Sequence, residues 1–458
     1  MLPSKLLLHK YNFRMAEIYN NFSKIYMETG DTLLNWKLWY EGFKLVPRFS
    51  SLCKDSILEN PNLLKMIDDK EKIDGVITMG TCGAFLSHLF DTQVIMFSPA
   101  GPFSLQLKNG LGNPLNPMIN PHILIPFLEP MTFFQRLTNI IFENFFDGWV
   151  HWTDGLSIEH IRNHFGQDSP DFYSIVNKRS SIALANSHFV THGIYPSYPN
   201  FIQIGGIHCQ PGKELTGDLK KFMDSHPEGV VYVSFGSALK PSQMSSQQKS
   251  VFVDTFKELK NTPIIWKWVD NSDGIPENVM LQKWLPQNDL LAHPNLKLFV
   301  THGGLLSTQE ALYHEVPLVG VPISNDQKPN LMRAQANGYA KMLNLQTMTK
   351  NDLLHTIKTA LNNKEMIDSM KRMHELFTEH SFGGTPVNKA VAAVDLVVKH
   401  KGADFMKPKA INSISWYQEH GIDIFVFVIL IVIILCWITL KICFCCLGIC
   451  FKTKTKQD

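Results

Sequence analysis

Thr301-His302-Gly303-Gly304 is followed three residues later by Ser307 and three after that by Glu310. A histidine, two glycines, a hydroxyl and a carboxylate thus fall close together, a mixture suited to an anion carried on a sugar. The glycines let the backbone come close because no Cβ intervenes, and peptide N–H groups opening a helix present partial positive charge to phosphate. A diphosphate suits such a turn better than a carboxylate. His302 can donate to a phosphoryl oxygen, and Glu310, eight positions on, can accept two ribose hydroxyls. A Gly-Gly turn that binds nothing is the plain alternative, so the neighbours decide. Upstream, Trp284-Leu285-Pro286-Gln287 offers a flat ring for a base, and an amide that both donates and accepts can read a pyrimidine edge or a ribose. Downstream, Asp326 and Gln327 can hydrogen-bond vicinal sugar hydroxyls, with Asn330 one helical turn further.

Such residues need a strand, a turn and a helix to hold them. The runs 298–300 and 316–321 are too short for helices and rich in Val, Leu and Phe, which predicts buried parallel strands. Ser307 and Glu310 have capping-box spacing, placing the helix start just after Gly304. From Gly229 onward the pattern alternates: strands over 230–233, 264–268, 279–283, 298–300 and 316–321, and helices over 246–260, 331–337, 351–362, 365–379 and 386–400. That rhythm predicts a doubly wound α/β half. The first half is less regular. It opens on a helical stretch, shows strands over 75–78 and 94–97, and carries a Pro-rich loop over 112–126, with a hinge expected near 204–211 where glycines and a proline cluster.

The order W-x-P-Q, T-H-G-G-x-x-S-x-x-E, P and D-Q-x-x-N between Trp284 and Asn330 resembles the signature of the UDP-glycosyltransferases, which include the UDP-glucuronosyltransferases. The likeness runs from about Ile73 to the C-terminus, and VSFGS, WLPQNDLLAHP and SWYQ are most similar to the membrane-bound animal branch. The resemblance implies an α/β GT-B fold: two Rossmann-like domains, the first incomplete, the final helix crossing back, and a C-terminal transmembrane helix. The expected limits are 1–205 for the acceptor-side domain, 206–400 for the UDP-sugar domain, 401–423 juxtamembrane, 424–440 transmembrane and 441–458 as a tail. It also implies uridine on Trp284 and Gln287, diphosphate on Ser237, His302, Gly303, Gly304 and Ser307, ribose on Glu310, and sugar on Asp326 and Gln327. UDP-glucose or UDP-glucuronic acid would be a co-substrate, with neither cofactor nor metal expected. The acceptor would be a small lipophilic alcohol or phenol, attacking with inversion after a histidine takes its proton, and oligomers with itself or with relatives belong to the same expectation.

Composition agrees with this picture. A chain of 458 residues with 45% hydrophobic and 18% charged residues can bury two domain cores. A net charge of +2 says nothing about nucleic acid, but there is no basic patch interleaved with aromatics and no RNA-binding or zinc-finger pattern. Residues 424–440 form an uninterrupted apolar run, flanked on one side by Lys441, Lys452, Lys454 and Lys456. That is the arrangement of a single membrane span with a cytosolic tail, and the spacing of Lys454 and Lys456 resembles a KxKxx signal of endoplasmic reticulum membrane proteins. Cys443, Cys445, Cys446 and Cys450 would lie at the cytosolic membrane edge, as acylation sites or simply small apolar residues. Cys53, Cys82 and Cys209 would face the lumen, an odd number that implies no disulfide framework, and Asn21-Phe22-Ser23 is a glycosylation sequon.

The acceptor side does not match as well. Relatives open with a signal peptide, then a strand ending in the catalytic histidine, which an acidic residue after a later strand orients. Residues 1–10 hold only three consecutive apolar residues, short of a signal core of roughly 7–15. His9 is the only histidine before His88, and nothing after it has a strand–helix–strand rhythm, so it reads as a surface histidine. His88, in a helical stretch over 85–90, reads as packed or exposed. Aligning 73–78 with the family's strand puts Met79 at the acid's position, and a thioether carries no charge and accepts only weakly. The expectation is a truncated first half, an unknown catalytic residue and no appreciable transfer. A non-catalytic UDP-sugar-binding membrane protein, or a regulatory partner of full-length relatives, is the alternative.

Overall fold

The computed structural model describes residues 6–9, 57, 60–102, 111–236, 244–268, 274–324, 326–379, 383–409, 415–419 and 421–454. The opening helical stretch, the Asn21 sequon, Cys53, Ser237 and Lys456 lie outside the described residues. The chain divides into a larger unit, Met1–Lys407, and a smaller one, Pro408–Asp458.

The larger unit is built on two parallel sheets. In the first, β1 (Leu6–His9), β2 (Gly75–Thr78), β3 (Val94–Ser98), β4 (Ser180–Ala185) and β5 (Phe201–Gln203) lie side by side in chain order. The second contains β6 (Val230–Ser234), β7 (Ile264–Lys267), β8 (Val279–Gln282), β9 (Leu296–Thr301), β10 (Leu318–Gly320) and β11 (Ala340–Met342), in the order β11-β10-β9-β6-β7-β8. The Val-Val-Tyr-Val-Ser strand β6 is buried along its whole length, as expected of a strand covered on both faces. Alternation decides which residue meets which layer. Val231 and Val233 pack with Phe252, Phe256 and Trp266 on one face, while Val230 and Tyr232 pack with Phe299 and Leu312 on the other.

Both β7 and β9 flank β6, the first strand of this sheet in the sequence, so the winding reverses there. The carboxyl ends of β6 and β9 therefore flank the switch point, outside which such sheets bind ligands. The strands and helices expected over 230–400 are all found, with ends moved by a few residues. One shift matters: the helix predicted over 331–337 starts earlier, as Gln327–Ala336, and brings Gln327 and Asn330 onto its first turn.

The first half departs further from expectation. Residues 6–9 form β1 after all, paired in parallel with β2 so that His9 stands opposite Thr78. Three leucines and a histidine are too short a pattern to predict alone; among the described residues the strand they pair with is Gly75–Thr78. A helix of 33 residues, Phe133–Phe165, also went unrecognised behind the Pro-rich loop; it is opened by a capping box between Thr132 and Gln135. The final helix of this unit, Pro386–His400, does cross back. Its Ala393, Val394 and Val397 pack against Ile95, Ile182 and Leu184 of the first sheet and against Ile204 just after β5. The chain remains packed there a little longer, with the Ala403 amide donating to Ser181 Oγ at 2.9 Å. Cys82 is disulfide-bonded, which the odd cysteine count did not anticipate, while Cys209 is a free thiol.

The smaller unit contains one long helix, Ile422–Lys454. Within it Ile422–Phe444, 23 residues of mean hydropathy 3.0 with none of its residues buried, is long and apolar enough to cross a membrane. The helix runs on past Lys441, beyond the predicted span.

Candidate functional site

The turn after β9 is shaped by what packs under it. Gly303 has φ +84°, and a Cβ there would come within 2.4 Å of Leu331 Cγ. Asn330 Nδ2 then pins the turn by donating to the Gly303 carbonyl at 3.1 Å and to Asp326 Oδ2 at 2.8 Å. Asn330 is therefore a bracket between the phosphate-type turn and the Asp326 loop. Gln327 has a similar task for half of its amide: its Oε1 accepts from the Ile323 and Ser324 amides at 2.8 and 2.9 Å. Burial raises the Asp326 pKa, opposed by the hydrogen bond from Asn330.

His302 lies buried between two glycines. A Cβ on Gly236 would be 2.9 Å from its ring and one on Gly304 only 2.6 Å. Its Nδ1 has no hydrogen-bond partner among the described residues. Loss of water, and then the Lys267 charge, lower its pKa to about 4, partly offset by the Ser234 backbone. At neutral pH the imidazole is uncharged and can offer one N–H. The helix Leu305–Tyr313 starts directly after Gly304, and no side chain caps that end, so its first amides point toward the switch point unclaimed by a cap.

The helix start agrees with the sequence reading, but the capping box does not. Ser307 is the third residue of the helix rather than its cap. The S-x-x-E spacing instead stacks Ser307 and Glu310 on one helix face, where both receive the same donor. Gln287 Nε2 lies 2.9 Å from Ser307 Oγ and 2.6 Å from Glu310 Oε2. Tyr232, rising from β6, donates its hydroxyl to Gln287 Oε1 at 3.1 Å. Next to this cluster Trp284 is 76% exposed, an open aromatic face, with Lys267 Nζ 5.0 Å from its ring centre. Burial lowers the Lys267 pKa.

The structure thus unites His302, Gly303, Gly304, Ser307, Glu310, Gln287 and Trp284 at the switch point, with Asp326, Gln327 and Asn330 on the adjoining loop and helix. Ser237 follows β6 outside the described residues. Four participants escaped sequence reasoning: Lys267, Tyr232, Gly236 and Leu331. Lys267 left a trace, as the polar end of the apolar strand Ile-Ile-Trp-Lys at the sheet edge where ligands bind.

On the first sheet, His9 ends β1 opposite Thr78, and Met79, 41% exposed, follows β2 directly. The strand-terminal setting denied to His9 is present. His88 lies elsewhere. It is in the last turn of the helix Thr81–Leu89, which runs away from the carboxyl end of β2, and beside the Arg179–Asp91 ion pair. Burial and then Arg179 lower its pKa, with Asp91 opposing.

Two parallel sheets, a switch-point turn with a neutral histidine, and a Trp/Gln/Glu cluster are the features that known proteins can be compared on. The family model described as UDP-glucoronosyl and UDP-glucosyl transferase matches residues 6–457. The chain belongs to this family. The match begins well before Ile73, where the motifs alone had set the start of the likeness. UDP-glucosyltransferase 2 of Dactylopius coccus is 30% identical over 406 residues, 88% of this chain and 77% of that protein. UDP-glucuronosyltransferase 2B15 of Homo sapiens is 30% identical over 417 residues, 89% and 76% of the two chains. Among solved structures, a glycosyltransferase of kitacinnamycin aligns with TM-score 0.53 at 18% identity, covering 77% of this chain and 82% of that one. A UDP-glucosyltransferase from Polygonum tinctorium capable of glucosylating indoxyl aligns with TM-score 0.53 at 18% identity, covering 78% and 82%. The fold of this UDP-glycosyltransferase family member is α/β GT-B, with an added C-terminal apolar helix.

Proposed function

We propose that this chain binds a UDP-sugar at the β6/β9 switch point and passes glucose or glucuronic acid, with inversion, to a hydroxyl of a small lipophilic acceptor. The observation that carries the reading is the meeting of Trp284, Gln287, Ser307 and Glu310 with the uncapped helix start at Gly304. Uracil would lie on the open face of Trp284 and the ribose diol on Glu310. The diphosphate would face His302, the Gly303-Gly304 amides and Lys267, with Ser237 as a further contact. Asp326 and the amide nitrogen of Gln327 would take the sugar. As the glycosidic bond breaks, negative charge grows on the leaving UDP, and the His302 N–H, the Lys267 cation and the helix dipole stand where they stabilise it.

His9, at the end of β1 opposite Thr78, is the candidate to take the acceptor's proton; a thioether at Met79 carries no charge to orient an imidazole, so slow transfer is the expectation. That substitution also favours the second reading, a UDP-sugar-binding membrane protein or partner of relatives that catalyses nothing itself. The apolar helix and the lysines after it support a single-pass protein of the endoplasmic reticulum with a cytosolic tail. Calorimetry on the full chain in detergent tests the donor site: UDP binds, and His302→Ala or Glu310→Ala weakens it about tenfold or more, as lost hydrogen bonds to charged groups do. Equal affinity in all three proteins would remove the assignment. Competition by UDP-glucose and UDP-glucuronic acid then identifies the sugar.

A further inference from the structure

Tyr232 is an unusual residue to find at full burial on the central strand of a sheet. The rest of β6 is valine and serine, and every position of the strand is buried. Its ring is fixed by stacking on Phe299, with centroids 4.7 Å apart and planes at 10°, inside the cluster formed with Leu290, Leu312 and Leu318. Only the hydroxyl has a polar task. It donates to Gln287 Oε1 at 3.1 Å, while the other end of the same amide donates to Ser307 Oγ and Glu310 Oε2.

An amide has two unlike ends, and a carboxylate can only accept. Glu310 therefore requires the NH2 end of Gln287, which leaves the carbonyl end at Tyr232, and a tyrosine hydroxyl is the group that satisfies it there. The chain from strand to phenol to amide holds one oxygen of Glu310 at 2.6 Å and leaves its second oxygen available. Gln287 itself opens a helix of only five residues, Gln287–Leu291, behind Pro286, so little in its own element holds its side chain. We infer that Tyr232 is a positioning residue, one that fixes the Gln287 amide and through it the Glu310 carboxylate, and so sets the preference of the site for a ribose over a deoxyribose nucleotide. The inference rests on the proposed nucleotide site and goes beyond it, because Tyr232 never touches the ligand.

Removing the hydroxyl leaves Gln287 Oε1 without its donor. The amide is then free to rotate, and Glu310 loses a fixed partner. Base stacking on Trp284 and the phosphate turn are untouched. The experiment is calorimetry on the full chain in detergent with three probes: UDP, 2′-deoxy-UDP and inorganic pyrophosphate. Wild type binds UDP more tightly than 2′-deoxy-UDP. Tyr232→Phe weakens UDP about three- to tenfold, the range for one lost hydrogen bond, weakens 2′-deoxy-UDP less because it brings only its 3′-hydroxyl to Glu310, and leaves pyrophosphate unchanged, so the ribose preference narrows. Gln287→Met, a variant at a half-exposed position that does not depend on the core tolerating a change, narrows it equally. The double variant is no worse than either single one, since both act on one linkage. An unchanged ribose preference in Tyr232→Phe or in Gln287→Met overturns the inference, and so does a uniform loss across all three probes, which would mark a purely structural role. Failure of wild type to bind UDP at all removes the nucleotide site itself, and the positioning role with it.

Discussion

At the scale of single residues, His302 makes the site sensitive to acid. The unfolded chain takes up this proton near pH 6.5, whereas burial and Lys267 delay it to about 4 in the folded chain. Between those values the unfolded state binds more protons, so the folded state loses stability as pH falls from 6.5 to about 4, by about 3 kcal/mol at most for this group. His122 and His192, both lowered to about 3 chiefly by burial, act in the same direction and extend the window downward. Denaturant titrations in detergent at intervals from pH 7 to 4 should show a declining midpoint, less steep in His302→Gln; a flat profile would mean that the imidazole is hydrated in solution. Met79 gives a second prediction at this scale. If His9 needs a carboxylate beyond β2, Met79→Asp raises turnover of UDP-glucose or UDP-glucuronic acid with phenols by about tenfold or more, within the usual reach of general-base catalysis, and His9→Ala cancels the gain. No gain in Met79→Asp would separate His9 from the chemistry.

At the scale of elements, the two glycines of the turn are required for different reasons, and alanine separates them. Gly303 combines φ +84° with a Cβ position 2.4 Å from Leu331 Cγ. Gly303→Ala should therefore destabilise the protein by about 1–3 kcal/mol through backbone strain and overpacking. Gly304 has an ordinary φ of −59°. Its obstacle is His302 Nε2 at 2.6 Å, so Gly304→Ala should leave the melting temperature within a few degrees, displace the imidazole and abolish most UDP binding. The reverse pattern, a stable Gly303→Ala and an unfolded Gly304→Ala, would contradict this account of the turn.

For the whole molecule, the apolar helix sets the expectation. If Ile422–Phe444 crosses the bilayer with the following lysines on the cytosolic side, as proposed, protease added to sealed microsomes trims a short C-terminal piece and leaves the remainder intact. Loss of the larger unit in intact vesicles would reverse the topology. The same helix predicts that the protein stays in the membrane fraction after alkaline carbonate, because residues 424–438 are all apolar and leave no polar face with which to return to water.

The sequence alone determined the second sheet and most of its site. Strands buried on both faces are continuous apolar runs, and the glycines, Trp284, Glu310 and Asp326 mark their ends by chemistry that packing does not demand. Residues 6–9 show the limit of that kind of reading: a strand this short takes its identity from the neighbour it pairs with, and Gly75–Thr78 lies more than sixty positions away. Only the tertiary structure could decide the roles that depend on two elements at once. Ser307 and Glu310 have the spacing of a cap, yet the turn already starts the helix at Gly304, so the pair faces Gln287 instead. Asn330 has the spacing of a sugar ligand, yet the carbonyl of Gly303 lies within its reach and claims it as a bracket. Tyr232 is one apolar letter among valines until β6 is laid beside Gln287. Spacing along the chain fixes which side chains share a face of one element; which of them meet across elements is set by the sheet order.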